Sequence, residues 1–187
     1  MLAYSEEFKS HAENYFGSPA QEQVWDKEFV AQKTPGLKCL EFQPSDELGY
    51  FSYVSCGLAS LLPDEEVKHE YVISSPFMTP EHSELMLMIG AALINRKAFY
   101  GLGDIIKIGR PWIYGSEAEH LLVSLPYPYG PNLEIANSVL SDLRVLWLLP
   151  IYTSEVKYYE SQGLDALEEK FDEQAIRFWE LDRRPVC

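Results

Sequence analysis

Between Leu37 and Ser74 the chain breaks into three short segments whose residue types suit a sheet. Leu37 to Phe42 reads Leu-Lys-Cys-Leu-Glu-Phe, Tyr50 to Cys56 is aromatic and β-branched and ends at Gly57, and His69 to Ser74 reads His-Glu-Tyr-Val-Ile-Ser. Short runs of this kind, bounded by turn residues such as Thr34-Pro35-Gly36, predict strands. Their connections are short, and parallel neighbours would need a crossover of a dozen or more residues, so antiparallel pairing is expected. Leu121 to Leu125 and Val145 to Leu149 are apolar throughout, the pattern of central strands covered on both faces. A shorter strand is expected at Ile105 to Ile108, within a loop over 104–118.

Helices interrupt these strands. Phe8, His11, Ala12, Tyr15 and Phe16 fall at helical spacing, with Ser5 as the expected N-cap, Glu6 and Glu7 near the positive end, and Gly17 with Pro19 as the stop. Pro80 opens a second helix predicted to run to about Phe99. It is apolar nearly all round between Leu85 and Leu93, so burial on more than one side is expected, and Gly101-Leu102-Gly103 should end it. Thr153 or Ser154 is expected to cap a helix stopping at Gly163, and Leu164, Leu167, Phe171 and Ala175 line one face of a last helix. Strands interrupted by helices, without regular alternation, predict an α+β fold: a single domain over 1–187 with a mixed, largely antiparallel sheet flanked by helices. Neither a linker, an internal repeat nor a low-complexity tract divides the 187 residues.

Charge narrows the function classes. The formal net charge is −14, and residues 1–66 alone carry 12 acidic against 4 basic side chains. Binding to nucleic-acid phosphates or to an anionic membrane surface needs the opposite sign, so neither is expected; a basic protein partner is favoured. The longest apolar run, Leu85 to Ile94, is half of the roughly 20 residues that a spanning helix needs. The N-terminus lacks a basic start and a long apolar core, so no signal peptide is visible. Cys39, Cys56 and Cys187 are odd in number with no close pair, which argues against a disulfide framework or a CxxC site and for a reducing cytoplasm.

Motifs for chemistry are weak. Gly101-Leu102-Gly103 starts like a dinucleotide fingerprint, but Ile106 stands where the third glycine belongs and a helix precedes it. Ser154-Glu155-Val156-Lys157 matches S-x-x-K, in which a lysine one turn on can take a serine's proton; a serine hydrolase using Ser154 and Lys157 is the enzymatic rival. Its companion motifs are missing, since Lys33-Thr34 is followed by Pro35 and Ser141-Asp142 by Leu143. His11, His69, His82 and His120 share no helical turn, so surface or capping roles are expected rather than a metal site, and no cofactor is implied. Trp25, Trp112, Trp147 and Trp179 are spread along the chain and expected mostly in the core.

The candidate partner-binding residues are therefore acids and tyrosines in loops. In Tyr127-Pro128-Tyr129-Gly130-Pro131 the prolines and glycine force a loop, which places Tyr127 and Tyr129 near the surface, where tyrosine suits protein recognition. Asp46-Glu47 and Asp64-Glu65-Glu66 lie in turns flanking the same strands, and are expected to gather into an acidic patch that speeds encounter with a basic partner. In the tail Asp182-Arg183-Arg184-Pro185, at least one arginine is expected to pair with an internal acid.

The order of these pieces resembles the suppressor-of-fused domain family over residues 24–187, with 1–23 as an additional N-terminal helix. Tyr53-Val54-Ser55-Cys56-Gly57-Leu58-Ala59 is similar to its aromatic-serine-x-glycine-leucine strand end, and His69-Glu70-Tyr71-Val72-Ile73 to the strand with an acid ahead of apolar residues. Gly103 to Ser116, with Gly109, Pro111 and Gly115, is like its loop before a leucine-rich strand. Leu148-Leu149-Pro150-Ile151-Tyr152-Thr153-Ser154-Glu155 with Tyr158 or Tyr159, then Gly163-Leu164-Asp165-Ala166-Leu167 and the arginine tail, is the sharpest match. The resemblance implies a non-enzymatic protein-binding module. Animal members add a C-terminal domain and inhibit a zinc-finger transcription factor. Short stand-alone members are bacterial in type and are proposed as immunity proteins that neutralise toxins. On that basis the expected role is occlusion of a basic toxin domain, with a scaffold lacking inhibitory action as the alternative. The resemblance carries over no catalytic, cofactor or metal residues.

Overall fold

The computed structural model describes residues 2–25, 28–62, 67–136, 142–180 and 182–187. In chain order the elements are α1 (Leu2–Phe16), β1 (Gln21–Gln23), α2 (Glu28–Lys33), β2 (Lys38–Phe42), β3 (Phe51–Cys56), α3 (Leu58–Leu61), β4 (Lys68–Ser75), α4 (Pro80–Arg96), β5 (Ile105–Lys107), β6 (His120–Ser124), α5 (Pro131–Glu134), β7 (Leu143–Ile151), α6 (Thr153–Gln162) and α7 (Leu164–Glu173). The strands form one sheet in the order β1-β2-β3-β4-β7-β6-β5. All neighbours are antiparallel except β4 and β7, which run parallel with Val72 opposite Trp147. The intervening α4, β5 and β6 supply the crossover that a parallel pair requires.

Alternation along the strands serves two cores. Leu40, Val54, Val72, Leu122, Trp147 and Leu149 face α1, α7 and the C-terminal segment. Cys39, Tyr53, Tyr71, Leu121, Val123 and Leu148 face α4. This two-sided burial explains why the central strand β7 is apolar at almost every position. On the first face α1 buries Phe8 and Ala12, and Phe16 stacks on Phe42 with ring centres 4.1 Å apart.

Two buried carboxylates lock the chain where local pattern alone would not. Glu70 in β4 accepts hydrogen bonds from the Ser55 hydroxyl at 2.6 Å and from the N–H groups of Gly57 at 2.9 Å and Ala59 at 3.1 Å. It thereby satisfies the free amides that open α3. Gly57 has φ +113°, and a Cβ there would lie 2.6 Å from the Gly36 carbonyl oxygen, so the position needs glycine. Burial outweighs the hydrogen bonds and pushes the Glu70 carboxyl up to about 7. The second carboxylate, Glu155 in α6, is 0 % exposed. Arg183 grips it through Nη1 at 2.7 Å and Nη2 at 2.8 Å, while the N–H groups of Tyr152 and Val186 complete its shell at 2.9 and 3.0 Å. The expected arginine–acid pairing of the tail is thus present, at Arg183.

The structure corrects several sequence expectations. Ser5 lies inside α1 and shares a hydrogen bond with Ser60; it is not the N-cap. Tyr152, rather than Thr153 or Ser154, caps α6, because Glu155 three residues on reaches back to its N–H. Helix α4 ends at Arg96 instead of Phe99: Lys97 turns left-handed at φ 60° and its N–H closes on the Leu93 carbonyl, so Gly101 and Gly103 shape a separate turn. The buried arc of α4 is wide, yet Glu84, Met88 and Ala92 remain exposed along one strip. His82 and His120 are buried rather than surface groups; Trp112 donates its indole N–H to His82 Nδ1 at 3.3 Å, and burial holds the imidazole down at about 3.

Candidate partner-binding cleft

On the face covered by α1 and α7, the helices leave part of the sheet open. The gap is a cleft of about 570 Å³ whose floor is Trp147 and Leu149 of β7, with Phe171 of α7 and Ile176 and Phe178 of the following segment as walls. Phe178 meets Trp147 edge-on with ring centres 4.6 Å apart, and Tyr50 and Trp179 continue the aromatic cluster behind it. Trp147 is 4 % exposed, and its indole nitrogen has no hydrogen-bond partner among the described residues. Such a buried orphan donor costs free energy until an acceptor meets it.

The rim is acidic. Glu168 and Asp172 line it one helical turn apart on α7, and none of the described lining residues is basic. Glu168 accepts a hydrogen bond from Ser124 of β6 at 3.0 Å. Tyr127 stands at the mouth, 62 % exposed. Partial burial, and then the carboxylates of Glu168, Asp172, Asp165 and Glu134, push its phenol above the usual tyrosine range. An apolar floor beneath carboxylates suits a segment that presents apolar and cationic side chains together.

The candidate residues divide. Tyr127 is a surface tyrosine at this cleft, as expected. Tyr129 is not: it is 5 % exposed, and its hydroxyl shares hydrogen bonds with Ser52 at 3.0 Å and Ser74 at 2.8 Å. The Pro126 carbonyl accepts from the N–H groups of Tyr129 and Gly130, and that turn sends Tyr129 inward against the sheet. Asp46 and Glu47 are exposed in the β2–β3 connection but do not line the cleft; Tyr50 at its foot contacts Phe178, a cleft wall. Asp64, Glu65 and Glu66 lie outside the described residues. Leu62 and Val67, which flank them, stand at the end of β3 and β4 opposite to Asp46 and Glu47.

Sequence reasoning missed Glu168 and Asp172. The signal was present, because each follows a residue of the apolar face of α7, Leu167 and Phe171, and so borders that face on one side. Ser154 and Lys157 stand on α6 away from the cleft; Ser154 is half-buried, Lys157 is exposed, and no hydrogen bond joins them among the described residues. No group of three or more histidines, cysteines or acids among the described residues is arranged to hold a metal. No described helix is long and apolar enough to cross a membrane.

Comparison with known proteins places this geometry. The family model described as suppressor of fused protein (SUFU) matches residues 33–184. A SUFU homologue from Neisseria gonorrhoeae FA 1090 is 31 % identical, with a TM-score of 0.87 over 100 % of this chain and 98 % of that one. A chain of the Sufu–Fu complex, at 12 % identity, has a TM-score of 0.73 over 98 % of this chain and 92 % of that chain. Drosophila Suppressor of Fused, also at 12 %, has a TM-score of 0.76 over 98 % of this chain and 51 % of its own. No curated protein matches.

Proposed function

The chain belongs to the suppressor of fused family, and from that premise we propose that it is a non-enzymatic protein-binding module whose α7-side cleft receives a basic segment of its partner. The observation that carries this reading is the cleft itself: an aromatic floor with an unpartnered indole N–H beneath two carboxylates and an exposed tyrosine. An apolar side chain would fill the floor, and a lysine or arginine would face Glu168 and Asp172. Interfaces of this kind concentrate their energy in a few buried anchors, while rim charges govern encounter.

The finer reading is inhibitory. A net charge of −14 suits a basic partner, and a toxin domain occluded by binding is the form of that role we favour over a scaffold. The protein encoded beside this chain's gene is the first partner to purify and test. Binding should slow as salt rises, because the rim charges are screened over about 10 Å at 0.1 M. Glu168→Gln with Asp172→Asn should slow association while leaving dissociation nearly unchanged, and Tyr127→Ala should raise dissociation. Salt-independent association, or kinetics indifferent to all three changes, would remove the cleft from the reading. Loss of the partner's activity on binding would separate inhibitor from scaffold.

A further inference from the structure

The opposite face of the sheet carries a second feature that the cleft does not use. Among the described residues strand β1 lies at the edge of the sheet and pairs only with β2, Gln21 opposite Glu41 and Gln23 opposite Cys39. Its outer backbone groups therefore have no strand to bond. Folded proteins guard such edges with charge, proline or cover. Here the one charged residue of β1, Glu22, points to the other face, where Lys9 at 2.7 Å and Lys38 at 2.9 Å neutralise it. On the α4 face the edge presents only Gln21 and Gln23.

Beside this edge runs a groove of about 550 Å³ between β1 and α4. Val24, Trp25, Pro80, Leu87 and Met88 give it apolar walls. Val24 and Met88 are 53 % and 51 % exposed, although both are large and apolar. Among the described lining residues the charged groups are two acids, beside the polar Gln23 and Ser83. Glu84 is exposed on α4; Glu41 is nine-tenths buried and is met by the Ser83 hydroxyl at 2.5 Å and, more loosely, by the Gln23 amide at 3.5 Å. Among the described residues no cation pairs with Glu41. The indole nitrogen of Trp25 is buried without an acceptor among the described residues.

We propose that this groove is a second docking surface, which takes an extended basic segment of a protein partner as an added strand on β1. Strand addition would satisfy the edge through main-chain hydrogen bonds, while alternate side chains of the incoming segment enter the groove. The segment's apolar side chains would cover Val24 and Met88, and an arginine or lysine would lie between Glu41 and Glu84. Charge selects this occupant over a second copy of the chain, because another copy brings the same acidic surface. The inference is independent of the α7-side cleft, since the two surfaces lie on opposite faces of the sheet.

The test uses the intact protein, isotope-labelled, with the blocked peptide Val-Thr-Arg-Thr-Val-Thr-Arg as probe, whose valines and arginines share one face of the strand. Binding should protect from hydrogen exchange the β1 amides, among Gln21, Glu22 and Gln23, that face away from β2, and shift the Trp25 indole resonance. Glu84→Lys, an exposed change that leaves the fold intact, should weaken it by about tenfold. Replacing both arginines of the peptide with glutamate, or methylating alternate backbone nitrogens, should abolish binding. No binding, binding that shifts Trp147 but not Trp25, or binding indifferent to Glu84→Lys would overturn the proposal. So would self-association that protects the same β1 amides without peptide.

Discussion

Replacing Arg183 with alanine tests how the chain closes on itself. The guanidinium makes two charge-assisted hydrogen bonds to Glu155, at 2.7 and 2.8 Å, and a third to the Pro150 carbonyl at 2.9 Å. It also lies 4.9 Å from the Tyr152 ring centre and 5.5 Å from that of Phe171. The alanine variant keeps Glu155 fully buried but leaves its carboxylate only the N–H groups of Tyr152 and Val186. Breaking a buried pair from one side costs about 3–5 kcal/mol, because the surviving charge stays desolvated. For a domain of this size that corresponds to a fall in melting temperature of roughly 6–20 °C.

Urea and thermal unfolding of Arg183→Ala, Glu155→Gln and the double variant form the assay. The double variant should recover part of the loss, since no unpaired charge then remains buried, and the cycle should give a coupling energy rather than a simple sum. Added salt should change the loss little, because water and ions do not reach the pair. A cost below about 1 kcal/mol, the range of exposed ion pairs, would refute the reasoning, as would additive single changes.

Other outcomes follow from the same structure. The Glu70 carboxyl titrates near 7 in the fold against 4.5 ordinarily, so the folded state holds the extra proton between those values; stability should fall as pH rises through that window, and Glu70→Gln should flatten the slope in urea titrations. Gly57→Ala should destabilise by about 1–3 kcal/mol, because φ +113° and the Gly36 carbonyl both oppose a side chain; equal melting temperatures would contradict this. Ser154→Ala should change stability by less than about 0.5 kcal/mol, because Tyr152 and Glu155 form the cap; a loss of abundant ester or β-lactam hydrolysis in that variant would instead revive the hydrolase reading.

How far the sequence could be read depended on whether the determining contact was local. The strands β2, β3 and β4 and helix α1 were legible because β-branched and aromatic runs bounded by turn residues, and helical spacing, are written within each segment. The α6 cap was misread because a serine and a threonine stand where caps are common, whereas Glu155 bonding back to Tyr152 decides the matter. Tyr127 and Tyr129 were indistinguishable, since both lie in one proline-bounded loop; Ser52 and Ser74, brought from two distant strands, choose Tyr129 for the interior. The spacing of His82 and His120 points to surface or capping roles, because their burial between the sheet and the elements packed on it is invisible from spacing alone. The cleft needed β6, β7, α7 and the C-terminal segment at once, and only the acids beside the apolar face of α7 announced it locally.

The residues that carry the family resemblance turn out to be those that close the fold. Ser55 and Gly57 meet Glu70, and Pro150 and Glu155 meet Arg183. These side chains are buried and largely satisfied by one another, so they specify how the strands and the tail come together and leave nothing over for a partner. A fold fixed in this way can serve many partners, and recognition has to be sought in surfaces that the closing networks do not consume. Two such surfaces stand out, on opposite faces of the sheet, and each combines, among the described residues, an unpartnered indole N–H, exposed or open apolar area and carboxylates with no basic residue in the lining. That shared chemistry is why the acidity of this chain reads as a recognition property as well as a solubility one. If the two surfaces act separately, Glu168→Gln with Asp172→Asn and Glu84→Lys should have additive effects on a partner that engages both. Non-additivity would mean instead that a single segment, or a change passing through the sheet, connects them.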